Sequence, residues 1–209
     1  MMDKYSLLSY AGVSKRTQED LRQLSTVITV PEDDMYKSLY FWGQIGAGKT
    51  VQAAAVLAEC LFARAIHIPR QLSLLDPASE HHDKYYTPFF KNWFVFARIS
   101  NLLSDIKRTF SGQTELTEHD IIDRCTQANL LVLDDLGAEL TTDWAFQVIY
   151  LIVSTRYDDM QPTIFTSNLS PVQLAEKFSD DRLVSRIANS CNENGIRNIK
   201  ADDHRTDKE

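Results

Sequence analysis

The sequence predicts an α/β fold, a parallel five-stranded sheet with helices on both faces and a phosphate-binding loop at its first strand. Three observations predict it. Short apolar runs alternate along the chain with longer helical segments, and a crossover helix is what returns each strand parallel to the last. The first run, residues 38–42, leads into Gly43-x-x-x-x-Gly48-Lys49-Thr50. A later run, residues 130–134, is the most continuous apolar stretch of the chain and closes on two acids, Asp134 and Asp135.

The elements follow in order. Residues 38–42 (SLYFW) form a buried strand bounded by Gly43. Residues 50–65, rich in alanine and leucine without Gly or Pro, form a helix. Residues 93–97 (WFVFA) are a second strand and residues 99–110 a second helix. Thr117 with Asp120 three residues on marks a capping box, opening a helix through Ala128. The third strand is 130–134. A helix over 143–157 carries Ala145, Val148, Ile149 and Ile152 on one face. The fourth strand is 162–166. Ser170, Pro171 and Gln173 supply N-cap, N1 proline and N3 glutamine of a short helix. A further helix covers 182–190, and 195–200 is a weaker last strand. Residues 1–37 read as an N-terminal arm with weak periodicity, and 38–209 as the core. Within that core, 67–92 is a long connection with three prolines, of the length that usually serves function or mobility.

Composition narrows the function. With 209 residues, 44% hydrophobic and 24% charged, the chain has enough apolar content for one real core. A net charge of −7 argues against gripping duplex DNA by a broad basic face. Cys60, Cys125 and Cys191 show no CxxC spacing, which gives no disulfide framework and fits a reducing cytosol. The nearest approach to a metal pattern, His81-His82-Asp83, reads as a solvated loop. Residues 1–10 lack the pattern of a signal peptide, and the apolar stretch 51–66 is too short and too polar to span a bilayer. A cytoplasmic protein with no membrane contact is expected.

The loop Gly43, Gln44, Ile45, Gly46, Ala47, Gly48, Lys49, Thr50, with Val51 behind it, has the residues that hold the phosphates of ATP. Glycines let the backbone wrap close to phosphate oxygens, so that successive N–H groups form an anion nest. The following helix aims its partly positive N-terminus at the same place. Lys49 adds a mobile full charge, and the Thr50 hydroxyl is a hard oxygen ligand for Mg²⁺. Strand before and helix after are the context this motif requires.

Asp134 and Asp135 stand at the C-terminal end of a strand, where ligands of open α/β sheets bind. Asp134 is the candidate Mg²⁺ ligand and Asp135 the candidate general base for the attacking water. Thr166-Ser167-Asn168 ends the fourth strand; Asn168 either positions that water or belongs to a plain turn. Arg182 and Arg186, four apart, share one helix face, from which a guanidinium could reach a neighbouring subunit's γ-phosphate. On the helix after the second strand Lys107 and Arg108 offer two phosphate contacts, while Arg98, at its start and nine residues from Lys107, is expected to lie apart from them. Phe110 is either a stacking platform or core.

With these motifs in this order, the chain resembles the AAA+ module of the DnaC/IstB-like family, helicase loaders and transposition helper ATPases built on the P-loop NTPase fold. The likeness spans roughly residues 7–205. It is carried by Ala11-Gly12-Val13-Ser14-Lys15-Arg16, by 130–137, by 155–157 with 162–169, and by Asp202-Asp203-His204-Arg205. The resemblance implies Walker A roles for Lys49 and Thr50, Walker B roles for Asp134 and Asp135, and the sensor 1 role for Asn168. It makes Arg186, ahead of Arg182, the arginine finger offered in trans. It implies ATP and Mg²⁺ as cofactors and a homo-oligomer in the ATP state. A replicative hexameric helicase and single-stranded DNA are the implied partners. About forty residues precede the first strand, fewer than a helicase-binding domain needs, and no C-terminal lid is expected after the last. Asp135 stands where AAA+ enzymes commonly have glutamate, so slow hydrolysis is expected. The alternatives are an IstB-like transposition helper, a P-loop small-molecule kinase and a nucleotide-gated binding module.

Overall fold

A computed structural model describes residues 5, 8–24, 30–66, 93–112, 114–137, 142–178 and 180–200. The connection 67–92, including His81-His82, and the closing Asp202–Arg205 motif lie outside the described residues. Five strands, β1 (Leu39–Trp42), β2 (Phe94–Arg98), β3 (Leu130–Leu136), β4 (Thr163–Ser167) and β5 (Ile196–Asn198), pair in the order β2-β3-β4-β1-β5. All four pairings are parallel. This is the expected fold, and β4 lies directly between the strand that feeds the phosphate loop and β3, which runs past the two acids to Leu136.

Helices cover both faces. One face carries α1 (Leu8–Ala11), α2 (Lys15–Leu24) and α3 (Lys49–Ile66). The other carries α4 (Ile99–Phe110), α5 (Glu118–Thr126), α6 (Asp143–Asp158), α7 (Pro171–Lys177) and α8 (Asp181–Gly195). The alternation of strand side chains sorts the core into two clusters. Tyr40, Leu131, Leu133 and Phe165 pack towards α4–α8, while Leu39, Phe41, Leu130, Val132 and Ile164 pack towards α3. Both faces being buried is why these strands read as continuous apolar runs. Ala53, Ala54, Ala55 and Ala58 are buried in α3, and their small side chains let that helix lie close on the sheet.

Part of the stretch expected as an arm is packed into this core. Leu8, Ala11, Val13 and Leu21 join the cluster under α3. Gly12, at φ +93°, closes α1, and a Cβ there would stand 3.2 Å from the Phe96 carbonyl oxygen. Further on, buried Asp34 forms a two-pronged ion pair with Arg197 on the edge strand β5. The first helix has only 4 residues, and the 10-residue α2 buries just Gln18 and Leu21, so tertiary contact, not an apolar stripe, reveals them.

Several boundaries differ from expectation. The helix opened by Thr117 has its capping box with Asp120, but stops at Thr126, short of Ala128. The cause lies in Arg156, which is 1% exposed. Its Nη1 donates to the carbonyls of Cys125 (2.9 Å), Thr126 (3.0 Å) and Ala128 (2.6 Å). Its Nη2 donates to the Pro162 carbonyl and Nε to Thr163 Oγ1. The guanidinium thus takes up orphan carbonyls at the end of α5 and ties them to the start of β4. Burial pushes its pKa down to about 10, which leaves it charged at neutral pH. The capping box at Ser170, with Pro171 and Gln173, is as expected. Gly195 belongs to α8 and not to the last strand, which is confined to Ile196–Asn198.

Candidate nucleotide site

The phosphate loop leaves β1 at Gly43, whose φ is +144°. A Cβ there would lie 2.5 Å from the Ile199 carbonyl oxygen, because the chain leaving β5 crosses directly over it. That crossing is fixed by the Ile199 N–H, which donates to the Trp42 carbonyl at 2.7 Å. Gly46 and Gly48 also have positive φ, at +88° and +85°. Ala47 is buried under the loop and Ile45 is 68% exposed. Lys49 opens α3, is 6% exposed, and donates from Nζ to the carbonyls of Gly43 (3.0 Å) and Gln44 (2.7 Å).

Beside the loop lies a compact polar cluster. Thr50 Oγ1 donates to Asp134 Oδ1 at 2.8 Å, and Thr166 Oγ1 donates to the same oxygen at 2.7 Å. Asp134 is fully buried; burial raises its pKa and Asp135 adds to the rise, while the hydroxyls of Thr166 and Thr50 and the charge of Arg98 oppose it. β3 bulges between Leu133 and Leu136 against β4, and within the bulge Asp135 takes φ +64°. Aspartate is among the few non-glycine residues that enter this region readily. The turn exposes the Asp135 side chain (38%) beside its buried neighbour, and its N–H is held by Thr166 Oγ1 at 3.0 Å. Ser167 Oγ donates to the Leu136 carbonyl and accepts from the Leu169 N–H, and Tyr40 OH donates to the Leu169 carbonyl. These bonds fix the turn from which Asn168 projects, exposed and with its own side chain making no hydrogen bond among the described residues.

Two members of this cluster carry no local sequence motif. Thr166 leads into Asn168, and a threonine near the end of a strand beside an acid-bearing strand is the one signal of its place. Arg98, expected to lie apart from Lys107 and Arg108, closes β2 in register with Asp134. Its Nε stands 3.4 Å from both Asp134 Oδ2 and Asp135 Oδ2. Arg98 is thus engaged with the acid pair.

The other candidates lie apart. Arg182 pairs with Asp180 and stacks on the Tyr150 ring at 5.0 Å. Arg186 lies over Tyr150 and Tyr157 at 5.6 and 5.3 Å and pairs with Asp158 at 2.9 Å. Their shared face is therefore turned to α6. Lys107 stands 5.2 Å above the Trp144 ring, Arg108 is 3.7 Å from Asp105, and Phe110 is 62% exposed with its edge on Trp144. Phe110 is thus a surface ring and not core. A cleft of about 870 Å³ runs from Thr50 and Asp134 past Arg98 and Asn101 to Arg108. Cys60, Cys125 and Cys191 are buried free thiols raised by desolvation to about 11, 11 and 12, which keeps them protonated and unreactive. Among the described residues no group of His, Cys, Asp and Glu could hold a metal by itself, and no helix is long and apolar enough to cross a membrane.

Comparison with known proteins gives this arrangement relatives. No protein-family model matches the chain. A 144-residue stretch is 28% identical to the replicative helicase loader DnaI of Bacillus subtilis, covering 68% of this chain and 37% of that protein. The crystal structure of the DnaC helicase loader superposes with a TM-score of 0.54, 23% identity, and coverage of 88% of this chain and 89% of that one. The chain shares the fold of that loader. The AMPPCP-bound DnaA of Aquifex aeolicus shares the fold, with a TM-score of 0.55, 17% identity, and coverage of 90% of this chain and 47% of that one. The chain spans little more than a third of the length of the curated DnaI relative, and the structural likeness is one of fold.

Proposed function

We propose that this chain is a DnaC-like AAA+ module that binds Mg-ATP between the loop Gly43–Thr50 and the acids Asp134 and Asp135, and hydrolyses it slowly. The observation that carries the reading is the convergence of Thr50 and Thr166 on a single oxygen of buried Asp134, next to the glycine loop. Hard oxygen donors at Thr50 and Asp134 suit Mg²⁺, whose chemistry is to neutralise phosphate charge. The loop N–H groups and Lys49 would hold the phosphates, which requires the Lys49 ammonium to exchange its carbonyl partners for phosphate oxygens. Asp135, exposed beside the buried acid, would take a proton from water, and Asn168 would orient that water. Arg186, with Arg182 as the second candidate, would complete the site of a neighbouring copy in an ATP-state homo-oligomer. In this reading residues 38–209 are the ATPase core and 1–37 lead into it.

The DnaI and DnaC relatives are named as replicative helicase loaders. The function proposed here is accordingly cytoplasmic: ATP-dependent assembly on single-stranded DNA in replication, placing a ring helicase on its strand. Binding of a fluorescent ATP analogue by the intact chain and by Lys49→Ala tests the site, and equal affinity for both sinks it. A pull-down of the host replicative helicase, with and without ATP, tests the partner; capture of a transposase instead points to the IstB-like alternative.

A further inference from the structure

The two oxygens of Asp134 have different surroundings. Oδ1 is saturated by the hydroxyls of Thr50 and Thr166, whereas Oδ2 faces Arg98. The same Nε is equally close to Asp135 Oδ2, at 3.4 Å. One guanidinium therefore bridges two adjacent carboxylates, a charge role that a divalent cation can also fill. The bridge is not a helix cap: Arg98 occupies the N-cap position of α4 without any side-chain capping bond. Nor is it locked in place, since both distances are long for a charge-assisted bond and half of the Arg98 side chain is exposed. Parallel register sets the geometry, because Arg98 and Asp134 are direct cross-strand partners at the C-terminal ends of β2 and β3.

We infer that Arg98 is a resident counter-cation of the Asp134–Asp135 pair, competing with a divalent metal for those carboxylates and yielding when metal-bound nucleotide enters. This rests on the proposed nucleotide site and adds a device to it. Without metal, two neighbouring carboxylates, one of them buried, repel each other, and Arg98 relieves the repulsion. With metal, the same positive charge opposes binding. Arg98 is a positioning residue, which holds the acids and does not itself meet substrate. Its long, half-exposed side chain and its place in the lining of the cleft leave it room to swing aside.

The test measures binding and not turnover. Affinity for mant-ATP is determined in EDTA and in saturating Mg²⁺ for the wild-type chain, Arg98→Gln, Arg98→Lys and Lys49→Ala. With Arg98→Gln, affinity in Mg²⁺ should tighten about two- to fivefold, the scale of one partly exposed ion pair. Affinity in EDTA should gain nothing. Arg98→Lys keeps the charge on a flexible stem and should fall between Gln and wild type. Unchanged or weaker Mg²⁺-supported affinity in Arg98→Gln overturns the inference, as does a lysine variant that behaves like glutamine. Lys49→Ala separates the two readings. If it binds mant-ATP like wild type, the nucleotide site itself is wrong. If it loses binding while Arg98→Gln leaves the Mg²⁺ arm unmoved, only the role of Arg98 fails.

Discussion

Thr50 and Asp134, 84 positions apart in the chain, are joined by a 2.8 Å hydrogen bond from the threonine hydroxyl to Oδ1. The bond links the first turn of α3 to the end of β3, so that the phosphate loop and the acid pair form one unit. In the proposed reaction the general base is then the exposed acid, Asp135. Asp135→Asn is a clean test, because asparagine tolerates the positive φ of 64° as aspartate does. ATP affinity should stay within about threefold while turnover falls at least about 10²-fold, the scale of a lost general base. Single-turnover hydrolysis beside equilibrium binding reads both quantities; an unaffected rate would remove Asp135 from the chemistry.

Arg186 is held between two tyrosine rings and Asp158, which restrains a long side chain at the surface. If this orders it for a neighbouring copy's nucleotide, ATPase activity per subunit should rise with protein concentration. Arg186→Ala should abolish that rise, with a loss on the order of 10³-fold at the plateau for a full arginine finger, and should leave ATP binding intact. A wild-type rate independent of concentration would reduce the residue to a surface stack.

Lys107, Arg108 and the exposed Phe110 lie together at the end of α4, with Trp144 beneath Lys107 and against Phe110. Two cations beside an open aromatic ring suit a single strand better than a duplex. Replacing both cations by alanine should reduce the slope of log affinity against log salt by about 1.4, from roughly 0.7 per lost phosphate contact. ATP affinity should not change. Fluorescence anisotropy of labelled oligothymidine across a salt series reads the slope, and an unaltered slope moves the DNA path elsewhere.

Arg156 is a buried charge with no carboxylate partner among its hydrogen bonds; carbonyl dipoles at the end of α5 and the start of β4 neutralise it. Arg156→Ala strands several buried carbonyls and should cost roughly 3–5 kcal/mol. That corresponds to a fall in Tm on the order of 10 °C for a chain of this size. Arg156→Lys, lacking the planar fork, should recover less than half of it. Calorimetry of the three proteins decides, and a Tm within two or three degrees of wild type for alanine would refute the account.

Strands β1, β3 and β4 were legible because they are buried on both faces, and the capped helices because Thr117–Asp120 and Ser170–Gln173 are local signals. The two N-terminal helices were not, since their order comes from Leu8 and Leu21 docking on α3 and Gly12 closing onto β2. In the candidate site, Gly43, Lys49, Thr50, Asp134 and Asp135 stood out because glycine spacing and strand-ending acids are local patterns. Thr166 and Arg98 did not, because their partners lie 32 and 36 residues away on neighbouring strands.

Sequence by itself determined the alternation of strands and helices, the loop and the acids at strand ends, because apolar periodicity, glycine conformation and capping act within a few residues. Tertiary structure decided the strand order that sets β4 between β1 and β3, the bulge that turns Asp135 outward, and the partner of Arg98. It also decided the burial of Arg156. Each of these depends on register between elements far apart in the chain, and that register is fixed only when both faces of the sheet are packed.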